Sequence, residues 1–265
     1  MNELSAAQLR YLNRQKRHRL TVILSRLAIL IGFFCLWEFC AATAVIDSFI
    51  FSSPSRIAVC FLDMARDGSI FLHIWVTLYE TIVSFLLVIA ISVLMAIALW
   101  LCPKLSEILD PYMVVLNSLP KSALAPLLIV WLGATTTTII VAGMSVAIFG
   151  SILNLYTAFR IVEPEKIKLI YTLRGTRLQA LTKAVIPSSI PALISTMKVN
   201  IGLCLVGVII GEFLAARQGL GYLIIYASQT FKLDWLLMSI VLLCIMAMAL
   251  YAVIGVVEKL YMKRL

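Results

Sequence analysis

Six apolar runs decide what this 265-residue chain can fold into. A helix that crosses ~30 Å of hydrocarbon needs ~20 apolar residues, and residues 22–46, 74–101, 111–133, 138–159, 192–216 and 235–257 all reach that length. Lipid offers no partner for a free backbone amide, so each run is predicted to be a helix that satisfies its own hydrogen bonds. No period-2 alternation competes over these lengths. With 62% apolar and 13% charged residues, the chain has too little polar surface to close as a soluble globule. The predicted class is an all-α polytopic membrane protein with six transmembrane helices.

The Lys and Arg residues set the orientation. Arg10, Arg14, Lys16, Arg17 and Arg19 precede the first run, and Lys104 follows the second. Arg160, Lys166, Lys168, Arg174, Arg177 and Lys183 follow the fourth, and Lys259, Lys263 and Arg264 follow the sixth. Placing both termini in the cytosol puts these fifteen on one side against four on the other, Arg56, Arg66, Arg217 and Lys232. The net charge of +9 therefore reads as topology and attraction to anionic lipid, not as nucleic-acid binding. Three segments follow: a basic or amphipathic cytosolic stretch at 1–21, a transmembrane region at 22–258 that includes a water-facing segment at 160–191, and a cytosolic tail at 259–265. The first run is too long for a cleaved signal peptide and is expected to remain a span. Upstream of it, Leu4, Ala7, Tyr11 and Leu12 share one helical face, which suits a short helix on the membrane surface or, equally, a frayed basic tail.

On the other side, Ser52, Ser53, Pro54 and Ser55 predict a turn, then a short helix at 57–64 capped by Ser55 and ending near Asp67 and Gly68. Such a helix would form a ledge over the outer mouth. Gly219, Leu220 and Gly221 mark a sharp reversal within 217–234, and Thr135 is expected to cap the fourth run. The six cysteines show no CxxC spacing and read as small buried apolar residues, not as a metal site or disulfide framework.

Polar residues inside apolar runs are costly to bury in lipid and so mark candidate function. Glu38, Glu80, Asn117, Lys121, Asn154, Lys198, Asn200 and Glu212 are such residues, each a candidate for the pathway or a gate, or else for pairing between helices. Lys198 and Glu212 lie fourteen residues apart, so they share a helix face without touching. Pro120 and Pro126 are expected to interrupt the third run twice, giving a kinked or discontinuous helix of the kind that lines a cavity. There is no GxxxxGK[ST] phosphate loop, no HExxH and no Ser/His/Asp set, which excludes the usual nucleotide, metal and hydrolase sites. A secondary transporter would need internal repeats and midplane coupling carboxylates, and neither is evident. A channel or scaffold that works without an ATPase partner stays open on these grounds.

The segment at 160–191 is the one substantial water-facing piece. Pro164 is expected to stop the fourth helix, and a helix of about ten residues from Glu165 would put Ile167, Ile170 and Tyr171 on one side. Gly175 would supply a left-handed turn, Thr176 a cap, and a second short helix over 177–185 would follow, separated from the fifth span by Pro187 and Pro191. Two short helices at an angle make a rigid knob that fits a groove on a soluble partner. An inter-span linker is the plainer alternative.

That segment resembles the cytosolic loop of ABC importer permeases, whose pattern runs Glu-Ala-Ala, three residues, Gly, then an apolar stretch ending in Leu-Pro. Gly175 matches the glycine, Ile186 and Pro187 match the terminal pair, and Arg177, Leu178 and Lys183 fall where such loops carry similar residues. The resemblance extends over nearly the whole chain to the nitrate, sulfonate and taurine subfamily, through Ser53-Pro54-Ser55, Asp110-Pro111, Leu119-Pro120, Ala125-Pro126-Leu127, Trp131-Leu132-Gly133, Gly211-Glu212 and Gly219-Leu220-Gly221. Leu169-Ile170-Tyr171 stands in place of Glu-Ala-Ala, and Met197-Lys198 in place of Gly-Leu-Arg.

The resemblance implies a type I ABC importer permease of the bacterial inner membrane. Two copies would form a homodimeric pathway for a small solute, an anion such as sulfonate, taurine or nitrate, or alternatively a pyrimidine or vitamin precursor. Two ATPase subunits would hold the ATP and Mg, none bound by this chain, and an extracytoplasmic binding protein would deliver the solute. Leu169, Tyr171, Arg174, Gly175, Thr176, Arg177, Leu178, Lys183 and Pro187 would form the ATPase-coupling surface. Asn117, Pro120, Lys121, Asn154, Lys198, Asn200 and Glu212 would lie along the pathway or its gates, with no catalytic or metal-binding residue.

Overall fold

Residues 6–262 are described by a computed structural model, and they divide after residue 63 into two units. In the first unit, α1 (Ala6–Ala42) runs unbroken from the basic stretch through the first span, whose apolar length begins at Leu20. Leu4 lies outside the described residues, as do the side chains of Ala7, Tyr11 and Leu12 that are expected to share a face with it. A short α2 (Ser48–Phe51) is capped by Asp47, which accepts from Phe49 N–H at 2.8 Å. The predicted short helix is α3 (Pro54–Arg66), three residues longer at its start than expected. Ser55 does not cap it. Its amide and hydroxyl donate to Glu38 at 3.0 and 2.7 Å, while Arg56 N–H reaches Ser53 Oγ at 3.4 Å. Glu38, the first of the polar residues expected inside a span, is thus a carboxylate at a helix N-terminus, where donor groups and the helix dipole favour it.

In the second unit, α4 (Ser69–Leu101) is preceded by Asp67, whose carboxyl is held below its ordinary value by the Ser69 hydroxyl and amide, and by Gly68, where φ is +79°. Helices α4, α7 (Thr136–Arg160) and α10 (Ile186–Ala215) pack against one another as a central trio. Small residues bring them together, as in helix pairs that have no water to drive them. A Cβ on Gly207 would meet Ala142 O and Gly143 Cα at 2.8 Å, and one on Gly143 would meet Ser84 Oγ at 2.6 Å. Ser84 also donates across to Ile140 O at 3.0 Å. Phe85, Val88, Ala147, Ile201 and Cys204 fill the middle of this bundle. Cys204 is the one buried cysteine among the described residues. Cys35, Cys102 and Cys244 are exposed, against the expectation of burial, because the apolar solvent for these positions is lipid and an apolar side chain there needs no core.

Thr135 caps α7 as expected, its side chain accepting from Thr138 N–H. The third run departs from expectation at its start, because α5 (Pro103–Ser118) begins eight residues earlier, with Pro103 in its first turn and Pro111 inside it. It is joined to α6 (Lys121–Leu132) by a bend of 96°. Beyond α10, α11 (Leu220–Gln229) occupies what had been expected as an outer loop, and a turn through Phe231 at φ +56° leads into α12 (Leu233–Met262). Five of the described helices are long and apolar enough to cross a membrane, six if the bent pair is one span.

Candidate functional site

The basic segment forms its knob by local rules that differ from the expected ones at three points. First, α7 ends at Arg160, and Pro164 starts α8 (Pro164–Thr172) from the first-turn position that proline favours. Second, the left-handed residue is Arg174, with φ +59°. Gly175 follows, and what it needs is space: its N–H donates to Ile170 O at 2.8 Å, and a Cβ would come within 2.7 Å of that same oxygen. Third, α9 (Arg177–Ala180) is not a separate helix. A π turn at Leu181–Val185 carries it into α10, so 39 residues, Arg177–Ala215, form one continuous helix. The π turn replaces the ordinary ladder with an Ile186 N–H to Leu181 O bond just before Pro187, and the wider turn accommodates the ring and the missing donor. Pro187 therefore sits in the first turn of α10 and Pro191 inside it, and neither separates the knob from the span.

Thr176 closes the start of α9 with a capping box, its hydroxyl accepting from Gln179 N–H while the Gln179 side chain accepts from Thr176 N–H at 2.8 Å. Arg177 fastens the corner to the end of α4. Its guanidinium donates to Trp100 O at 2.7 Å and lies 5.3 Å over the Trp100 ring. Underneath, Leu181 and Val185 enter the core beside Ala96, Leu155 and Phe159, with Ile167 packed against them. What remains outward is an apolar crest: Leu169 and Leu178 are each 60% exposed, and Leu173 is 74% exposed. Tyr171, Arg174, Lys183 and Pro187 are also exposed. Leu173 was missed by the sequence reading, although its spacing of four from Leu169 could have found it.

The candidate pathway residues fall into two groups. Lys198, Asn200 and Glu212 are taken up by bonds between helices. Lys198 pairs with Glu258 of α12 and lies 5.6 Å over Tyr251, and Asn200 donates to Ser151 Oγ of α7 at 2.8 Å. Glu212 accepts from Thr77 Oγ1 of α4 at 2.6 Å and from Gly221 N–H at 2.5 Å. Asn117, Pro120 and Asn154 instead stay exposed in this single chain. Lys121 sits at the bend itself, donating to Leu116 O and lying 5.3 Å over Phe149.

The bend has a single origin. Leu119 takes ψ 138°, the extended conformation that a following proline imposes, and Pro120 continues at ψ 104°. Pro126 does not interrupt the chain a second time and remains inside α6. The break leaves carbonyls at the end of α5 without helical partners, and the Lys121 ammonium serves one of them.

At the opposite end from α8, Gly219 takes φ +116° and its N–H donates to His73 Nδ1 at 3.0 Å, while Leu220 N–H donates to Thr77 Oγ1 at 2.8 Å. The glycine turn is thus tied to α4 as well as to α10. A cavity of about 300 Å³ lies beside it, lined by Glu80, Thr135, Thr136, Arg217 and Gln218.

Residues 88–265 match the family described as the binding-protein-dependent transport system inner membrane component. A probable ABC transporter permease of Haemophilus influenzae is 26% identical over 82% of this chain and 87% of its own length. A putative aliphatic sulfonates transport permease of Bacillus subtilis is 21% identical over 86% of this chain and 83% of its own. A riboflavin transport system permease of Chloroflexus aurantiacus is 25% identical over 86% and 85%. Among solved structures, a chain of the inward-facing MetNI methionine ABC transporter superposes with a TM-score of 0.63 at 16% identity, covering 72% of this chain and 96% of that one.

Proposed function

The chain belongs to the binding-protein-dependent transport system inner membrane components, the permease subunits of ABC importers, and from that premise we propose that its knob receives the motion of an ATPase subunit and its bent helix pair lines the pathway of a small anion. Members of this family catalyse no reaction; ATP is hydrolysed on a separate chain, and a solute-binding protein completes the system. The fold is that of type I importers. Two copies of this chain would surround the pathway, with both termini and the knob on the cytosolic side, as the fifteen-to-four distribution of Lys and Arg favours.

The observation that carries the coupling role is the exposed crest of Leu169, Leu173 and Leu178 on a corner that Arg177 and the Thr176 box hold rigid. Rigid apolar anchors on a fixed frame suit a groove on a partner and pass its displacement on. For the solute, Glu258 matches the charge of Lys198, which leaves Lys121 at the bend as the cation an anion would meet. Relatives carry names from sulfonates to riboflavin at similar identity, so a vitamin or pyrimidine precursor is the second reading.

Reconstitution with the companion ATPase and binding protein tests both levels. ATP-dependent uptake into proteoliposomes is expected, and uptake that runs on an ion gradient without the ATPase would overturn the importer reading. Binding of sulfonates, taurine or nitrate by the companion binding protein supports the anion. Selective binding of a neutral pyrimidine or flavin precursor overturns it.

A further inference from the structure

Two buried carboxyl groups meet at the end of the bundle opposite α8, and the donors around them are unevenly shared. Glu80 of α4 and Glu212 of α10 are each 1% exposed. Glu212 accepts from Thr77 Oγ1 on one oxygen and from Gly221 N–H on the other, with the Tyr222 amide as a further donor. Thr77 Oγ1 itself accepts from Leu220 N–H, so its only proton is committed to Glu212. Glu80 has no such donors. Its hydrogen-bond partner is Glu212, and its second oxygen, Oε2, is buried without any partner.

An ionised carboxylate can only accept, so a bond between two carboxyls requires a proton on one of them. The donor set makes Glu212 the anion. By elimination Glu80 is the acid, donating to Glu212. Two facing anions in a setting of low dielectric would repel by several kcal/mol with nothing to offset the cost. Among the titratable or charged groups at this end are His73, whose Nδ1 accepts from Gly219 N–H, Tyr222, stacked on His73 and on Tyr226, Lys232, which lies over Tyr226, and Arg217, exposed on the rim of the cavity. Against this site α7 and its cap bring only Thr135, Thr136 and Ile139.

We propose that Glu80 and Glu212 form a proton-binding site, in which one proton held on Glu80 and shared with Glu212 closes α4 onto the glycine turn between α10 and α11. The cavity of about 300 Å³ that Glu80 lines connects the site to solvent, giving the proton a way in and out. Loss of the proton sets two carboxylates against each other and turns Glu80 toward the cavity, where Arg217 lies. Glu80 then no longer bonds the carboxyl that holds the turn, and α4 keeps the turn only through His73 and Thr77. None of this depends on the coupling role of α8 or on the identity of the solute.

Infrared difference spectroscopy on the full-length permease in lipid nanodiscs, titrated with pH, reads the proton directly. The carbonyl stretch of a protonated carboxyl is expected in the wild-type protein, lost on raising pH, and absent throughout in Glu80→Gln, which reproduces the shape of the neutral acid. If Glu80→Gln does not accumulate in folded form, Glu80→Asp keeps the acid and should shift the band instead of removing it. A wild-type spectrum without that band, or one unchanged in these variants, overturns the proposal. A band that emerges only in Arg217→Gln also overturns it, since Arg217 would then be what neutralises Glu80.

Discussion

Arg174 and Gly175 divide a task that the sequence pattern assigns to Gly175 alone. The turn after α8 needs a left-handed residue, and glycine is the default choice for it, yet Arg174 adopts that conformation at φ +59°. Glycine is required one position later because the Ile170 carbonyl comes too near for a Cβ. Two predictions separate these roles. Gly175→Val should distort the corner and uncouple the machine: ATP hydrolysis by the assembled complex continues while uptake in proteoliposomes is lost, and unchanged uptake would falsify the coupling role. Arg174→Gly relieves a left-handed strain of ~1 kcal/mol and should raise the thermal midpoint slightly. A fall in the midpoint would show that the arginine side chain, and not the turn, is what the site needs. The position of Gly175 was legible in the sequence; its reason was not, because a carbonyl approaching from five residues upstream leaves no mark in composition.

Among the elements, the bent pair shows how far proline can be read from sequence. Pro111, Pro120, Pro126, Pro187 and Pro191 all lie in or beside helices, and only Pro120 coincides with a break. A proline inside a helix costs ~3 kcal/mol, but neighbours decide whether the chain gives way. At Pro120 the preceding Leu119 becomes extended, and Lys121 supplies a donor to the carbonyl of Leu116. At Pro187 a π turn takes up the misfit. Pro120→Ala should therefore let α5 and α6 straighten, seen as a longer spin-label distance between positions 108 and 130, with uptake lost. Pro126→Ala should leave both readings near wild type. Straightening by Pro126→Ala, or none by Pro120→Ala, would contradict this account of the bend. The packing of α7 on α10 was legible in principle, since Gly207 and Gly211 stand four apart on one face, but glycine spacing stands out only once the partner helix is known.

For the molecule as a whole, the apolar runs and the charge asymmetry give the spans and the proposed orientation, and both follow from one physical fact, the cost of leaving polar groups in hydrocarbon. Which polar residues pair across the bundle was hidden, because Thr77 with Glu212, Asn200 with Ser151 and Lys198 with Glu258 are separated by 135, 49 and 60 residues. Two outcomes are expected at this scale. Leu178→Cys in inverted vesicles should react with a membrane-impermeant thiol reagent, and in right-side-out cells it should not. A single cysteine at Asn154, exposed on α7 of the lone chain, should cross-link to its twin if two copies surround the pathway; failure to form that dimer while others form would point to a heteromeric partner.

The continuity of residues 177–215 has a mechanical meaning. With no joint between the knob and the far end of α10, those 39 residues act as one lever of roughly 58 Å at 1.5 Å per residue. Each degree of tilt imposed at Arg177 then moves the end near Glu212 by about 1 Å. In the proposed orientation, a partner at the knob would need only a small rocking stroke to shift the glycine turn at the other face of the membrane. The π turn, with its poorer hydrogen bonding, is where such a lever would flex first, so stiffness at Leu181–Val185 sets how much of the stroke arrives.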